Sequence, residues 1–264
     1  YKRILRFPET TSNKFRIRVL ESRSMPAIAN ITAHFYKTRP PQLSIIRNID
    51  GQVTIQPKKH DFGWKPHGED SAENINSGLE IRYTTDGSSP TKDSKLFKES
   101  FKMESGEIKA KAFSKNNAGS EASRKVGILK KDWKIIKEDS WILTNKSDLT
   151  IDENPDTYWL SNDKGSLHYL EVDLGKSYTL KYFAYTPQKE NGNGMIEEGV
   201  LKGSNDGKNW TIISNFKFGN LINDPVTRNH QFEKAITTRY IRLEAKVIAG
   251  GNKAAAIAEL DFFE

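Results

Sequence analysis

The sequence predicts an all-β protein made of tandem β-sandwiches, and three observations carry that expectation. Helical periodicity is almost absent, and short β-rich runs alternate with clusters of Gly, Asn, Asp and Ser. Leu170, Val172 and Leu174 alternate with Glu171 and Asp173, so one face of that strand points inward and the other outward. Residues 14–20 (KFRIRVL) match residues 240–246 (YIRLEAK) in strand character. Each copy is followed by a loop and a second matching run, PAIANITAHFY (26–36) or AAIAELDFF (255–263).

Each half of the repeat reads as the last two strands of one kind of domain. The second copy follows about 100 residues of its own domain, whereas the first follows almost nothing. Residues 1–37 are therefore expected to be the last strands of a truncated sandwich. Two orphan strands bury no core alone, so they should dock on a neighbour or be poorly ordered. Arg39-Pro40-Pro41 reads as a stiff linker. Residues 42–128 form a second segment, with strands expected at 43–47, 52–56, 79–85, 106–114 and 121–128 and a long polar loop over 57–78. Lys130-Lys131-Asp132 marks the next boundary, and residues 131–264 form the last segment. Asp86-Gly87 and Asp206-Gly207 are turn signals, because glycine accepts a positive φ without steric cost.

Composition narrows the function classes. The 264 residues include 10% aromatics and five tryptophans, enough for real cores. No run approaches the ~20 apolar residues of a membrane helix. Nothing at the start reads as a signal peptide, and residue 1 opens inside a strand-like pattern, so a preceding segment is expected. With no cysteine there are no disulfides, thiolate metal sites or cysteine nucleophiles. The net charge of +7 divides into +7 over residues 1–40, +3 over 41–130 and −3 over 131–264. Such a distribution lacks the basic stripe across a folded face that nucleic acid requires. Catalytic signatures are also missing: there is no GxSxG elbow, P-loop or HExxH. The five histidines are scattered, and no carboxylate pair outside one acidic loop stands out. The expectation is a chain without catalytic machinery of its own.

The middle segment carries IRYTTDGSSPT (81–91), SKLF (94–97) and GEIKAKAFS (106–114). It resembles the small, Ig-like C-terminal sandwich of chitobiases and β-hexosaminidases, which implies a non-catalytic spacer with Tyr83 and Phe113 in its core. Ligand binding through Trp64 or His67 is the alternative.

In the last segment, Asp152, Asn154, Asp156 and Thr157 place several oxygen ligands within six residues, the chemistry that a hard cation such as Ca²⁺ requires. The same residues serve ordinary turns. IDENPDTYWLS (151–161), HYLEVDLGKSYTLKYFAYTPQ (168–188), LKGSNDGKNWTII (201–213), TTRYIRLEA (237–245) and AAIAELDFFE (255–264) resemble the discoidin, or factor V/VIII type C, family and its carbohydrate-binding modules. The resemblance implies a jelly roll of about eight strands. It also implies a structural Ca²⁺ held by side chains of Asp152, Thr157 and Glu259 and by carbonyls of Leu149, Asn154 and Ala258. Glu153 stands where the family usually has glycine, and Asn30 stands at the Glu259 position of the first repeat.

For sugar recognition, His168 matches the position of a histidine in galactose-binding relatives, against the plainer reading that it merely starts a strand. Gln188 stands where sugar-binding relatives often have arginine, and Asn191 and Asn193 offer further polar partners. The loop at 249–253 has no aromatic to stack on a sugar ring. Trp141, Trp159 and Trp210 are expected in the core. The implied ligands are glycans containing galactose, N-acetylgalactosamine or fucose.

The opening YKRILRFPETTSNKFRIRVLESRSMPAIANITAHFY resembles the end of the galactose-binding-like domain that follows the catalytic barrel in bacterial α-L-fucosidases. The order of parts then implies the accessory region of a secreted, periplasmic or cell-surface glycosidase, with its catalytic domain upstream. Two alternatives remain: packing domains without sugar binding, and a discoidin-type adhesion module.

Overall fold

The computed structural model describes residues 12–21, 25–32, 40–58, 79–114, 117–165, 167–189 and 193–264. The polar loop with Trp64 and His67, and also Asn191, lie outside the described residues. The chain divides into two compact units, Tyr1–Lys37 and Thr38–Glu264.

Among the described residues of the first unit no strand is assigned. Phe15, Ile17, Val19 and Leu20, expected on a strand, are all exposed. A strand needs a ladder partner to satisfy its amides and an opposing layer to bury its apolar face. Asn30 is likewise exposed.

The second unit holds two sandwiches. The first contains β1 (Leu43–Arg47), β2 (Gln52–Pro57), β3 (Glu80–Thr84), β4 (Lys95–Leu96), β5 (Phe101–Lys102), β6 (Gly106–Phe113) and β7 (Ala122–Val126). They form a three-stranded sheet β1-β2-β5 and a four-stranded sheet β4-β3-β6-β7. Leu43, Ile45, Val53, Ile55, Tyr83 and Ile108 fill the space between them. Tyr83 stacks on Phe101 with centroids 4.6 Å apart, and Phe113 is buried as expected. Strands were legible here where buried and polar side chains alternate, as at Val53, Thr54 and Ile55 or Ile108, Lys109 and Ala110.

The second sandwich contains β8 (Lys134–Glu138), β9 (Trp159–Leu160), β10 (His168–Thr186), β11 (Ile196–Ser204), β12 (Thr211–Lys217), β13 (Arg228–Ile248), β14 (Ala256–Ile257) and β15 (Glu259–Phe263). The main sheet runs β12-β11-β13-β10-β15, with β8 also paired to β10, and β14 pairs with β9. The ladder of β10 with β13 breaks between Asp173 and Tyr178, where Gly175 has a φ of 82°. A break of this kind lets one strand turn a corner and serve two layers. Leu170, Val172 and Leu174 are fully buried in a core with Trp159, Phe183, Leu243 and Phe262. Glu171, expected outward, is also buried, because the Arg242 guanidinium lies 2.6 Å from its carboxylate and covers it. Asp173 pairs with Arg239 at 2.9 Å.

The two sandwiches join closely. The Ile128 amide donates to the Phe262 carbonyl at 2.9 Å. At Gly127 a Cβ would lie 2.6 Å from that same carbonyl oxygen, so only glycine permits this approach of two backbones.

Candidate glycan site and acidic loop

His168 begins β10 and is buried. Its Nδ1 lies 2.9 Å from Oδ2 of Asp139, and Oδ1 of Asp139 accepts the Tyr169 amide at 3.1 Å. The carboxylate thus binds both the ring and the backbone beside it, which fixes the orientation of the imidazole. Ser140 follows: its carbonyl accepts the indole N–H of Trp159 at 2.8 Å, and its hydroxyl accepts the Asn162 amide at 3.1 Å. Trp141 comes next and is 50% exposed, contrary to the expectation that it joins the core. Its neighbours are anchored through backbone bonds, and the ring is left at the surface. Trp159 is fully buried, as expected, and Trp210 is half-buried.

The segment after β10 is tied to this end of the sandwich by a chain of hydrogen bonds. The Ser161 amide donates to Ala255 O at 2.8 Å, and the Ala255 amide returns a bond to Ser161 Oγ at 2.8 Å. The Ala256 amide reaches Gly194 O at 2.6 Å. The buried Tyr185 hydroxyl donates to Ala256 O and accepts the Ile196 amide, at 3.0 and 2.9 Å. Burial raises the pKa of that phenol, so it stays protonated and able to donate.

Within this frame Gln188 does not face outward, as a sugar-binding amide would. It is buried; its Nε2 donates to the Asn193 carbonyl, and its Oε1 has no partner among the described residues. The NH2 group of the amide is held by the backbone of its own loop, so Gln188 shapes that loop. Asn193 itself is exposed.

The acidic loop follows a short 3₁₀ turn at Ser147–Thr150. Asp152 Oδ1 accepts the Asn154 amide at 2.9 Å, and its Oδ2 accepts the Thr157 hydroxyl at 2.7 Å. That hydroxyl also lies 2.9 Å from Asn154 O. The structure therefore brings Asp152, Asn154 and Thr157 together. Glu259 reaches the loop through Oε1, which accepts the Glu153 amide at 2.8 Å.

Glu153 adopts a φ of 67°, a conformation that favours the glycine expected there. Its buried carboxylate accepts Nε of Arg47 at 3.1 Å and Nη2 of Arg124 at 2.9 Å, both from the first sandwich. On the other side of Glu259, Oε2 accepts the Nζ of Lys130, which also lies 3.1 Å from Asp261 Oδ1. Burial alone would lower the Lys130 pKa, but Asp261, Glu259 and Glu153 outweigh it and raise the pKa, holding the ammonium charged. The donor set does not fit a calcium ion at Glu259: one oxygen meets an amide and the other a buried ammonium. Among the described residues no group of three acidic, histidine or cysteine side chains is placed to hold a metal.

Asp139 and Arg47 were not singled out from the sequence, Trp141 was expected in the core, and Lys130 left a trace only as part of a boundary signal.

Comparison with known proteins agrees with this architecture. Residues 133–260 match the F5/8 type C domain. Residues 71–124 match the chitobiase/beta-hexosaminidase C-terminal domain. A galactose oxidase of Gibberella zeae is 28% identical over 142 residues, which are 49% of this chain and 20% of that protein. A sialidase of Micromonospora viridifaciens is 28% identical over 120 residues, 42% of this chain and 18% of that protein. The chain thus spans about a fifth of the length of the curated relatives it matches. Among solved structures, a CBM32 module from a family 31 glycoside hydrolase of Clostridium perfringens is 23% identical, with a TM-score of 0.48. That match covers 52% of this chain and 94% of the module. The family 32 module of NanJ from C. perfringens, solved with galactose, is 23% identical with a TM-score of 0.47, covering 53% of this chain and 98% of that one. The segment that matches the F5/8 type C domain holds both the His168–Asp139 pair and the acidic loop.

Proposed function

We propose that this chain is a non-catalytic, glycan-binding accessory region of a secreted or cell-surface glycoside hydrolase. The observation that carries the reading is the Asp139–His168 pair, 2.9 Å apart, with the exposed Trp141 two positions after Asp139 in the sequence. A fixed imidazole offers hydrogen bonds to ring hydroxyls, and an exposed indole offers an apolar face to a sugar ring. Asn193 supplies a further polar group; Asn191, two positions earlier in the sequence, lies outside the described residues. The F5/8 type C match, and relatives named for galactose and sialic acid chemistry, support this reading. The ligand class is a glycan ending in galactose, N-acetylgalactosamine or fucose. Weak contacts of this kind hold a tethered catalytic domain near its substrate by raising the effective concentration.

The parent enzyme we infer is an α-L-fucosidase, on the resemblance of the opening 36 residues. A second reading, packing without sugar binding, is favoured by the burial of both Gln188 and His168.

Calorimetric titration of the whole chain with galactose-, N-acetylgalactosamine- and fucose-terminated glycans decides between them. The expected result is saturable binding that His168→Ala abolishes and that Asp139→Asn weakens about tenfold, a loss of roughly 1.4 kcal/mol. Absence of binding across the panel by a folded wild-type chain would establish the packing role instead.

A further inference from the structure

Three acidic and three basic side chains meet where the two sandwiches join. Glu153, Glu259 and Asp261 belong to the last sandwich; Arg47 and Arg124 belong to the first, and Lys130 to the connection between β7 and β8. Arg47 and Lys130 are fully buried, and Glu153 and Glu259 nearly so. Each base has a carboxylate partner: Arg47 and Arg124 hold Glu153, while Lys130 lies between Glu259 and Asp261. Arg47 also donates to the carbonyls of Glu104 and Gly127 at 2.7 and 2.8 Å. Acidic and basic groups are equal in number within the cluster, and the hydrogen bonds run without interruption from one sandwich to the other. Asp152 of the same loop has both oxygens occupied by an amide and a hydroxyl of the loop itself.

We propose that Lys130 is the resident cation of the acidic loop, standing at Glu259 in place of calcium, so that the loop works as a latch between the two sandwiches. A divalent ion bound to Glu259 would stand beside a buried ammonium, where low polarity magnifies like-charge repulsion. The ammonium is supplied by the connecting segment and the two guanidinium groups by the first sandwich, so the cluster is complete only when the first sandwich precedes the second. Glu153 adds the second half of the latch: glycine at that position would leave Arg47 and Arg124 without their carboxylate.

The test compares the melting temperature of the whole chain in millimolar calcium chloride and in excess chelator, with a calorimetric calcium titration alongside. The expected result is one melting temperature in both buffers and no binding heat. A saturable isotherm together with a chelator-sensitive melting temperature would overturn the proposal; calcium at about a hundred times its Kd would raise the temperature by roughly 5–10 °C. In the second arm Lys130→Met strands Glu259, and the melting temperature is expected to fall by about 10 °C. A Lys130→Met chain as stable as wild type would also overturn it. If that variant fails to fold, the wild-type calcium measurements still decide.

Discussion

Nε of Arg47 donates across 3.1 Å to Oε1 of Glu153, linking the first strand of one sandwich to the acidic loop of the next. Neither side chain meets solvent appreciably, so the pair replaces hydration that both groups gave up on folding. A buried pair of this kind is weak evidence for net stability, but removing one partner leaves the other charge buried and unpaired.

Glu153→Ala is therefore expected to destabilise the chain by about 3–5 kcal/mol, read as a lower urea midpoint. Glu153→Gly should lose slightly less, because glycine adopts the φ of 67° without strain. A Glu153→Ala chain with an unchanged midpoint would show that the two arginines find other partners.

Gly194 tests the frame behind the candidate glycan site. Its φ is 78°, and an added Cβ would lie 2.8 Å from Ala256 Cβ and 2.9 Å from Ala256 N. Gly194→Ala is expected to cost about 1–3 kcal/mol in thermal or urea unfolding. Glycan affinity should fall with it, since the displaced loop carries Gln188 and Asn193. Full retention of both properties would mean that this loop tolerates displacement.

His230 gives a pH signature independent of the site. Burial lowers its pKa below the ordinary 6.5, and its Nε2 lies 2.7 Å from Ser214 Oγ. The unfolded chain therefore binds a proton more readily than the folded one. Stability rises with pH wherever the unfolded state holds more protons. The His230 contribution is thus present in full above about pH 6.5 and is lost as pH falls toward the lower folded value. His230→Gln should flatten the stability profile over that interval. Superimposable wild-type and variant profiles would assign the acid sensitivity to other groups.

Much of the fold was legible because strand patterning is local. Leu170, Val172 and Leu174 alternate within five residues and are all fully buried. Asp206-Gly207 forms the turn between β11 and β12, where Asp206 Oδ1 accepts the amides of Lys208 and Asn209. The same logic misread Trp141: a tryptophan between Ser140 and Ile142 carries no local mark of which way its ring will face.

By itself the sequence determined the order of the segments, the strand alternation and the absence of cysteine chemistry. It also marked His168 and the acidic loop as places of interest. Tertiary structure alone decided what those residues meet. Asp139 reaches His168 from 29 positions away, Arg47 reaches Glu153 from 106 and Lys130 reaches Glu259 from 129. Such partners are selected by the packing of whole sheets and by the cost of leaving a buried charge unpaired, neither of which leaves a periodic trace along the chain.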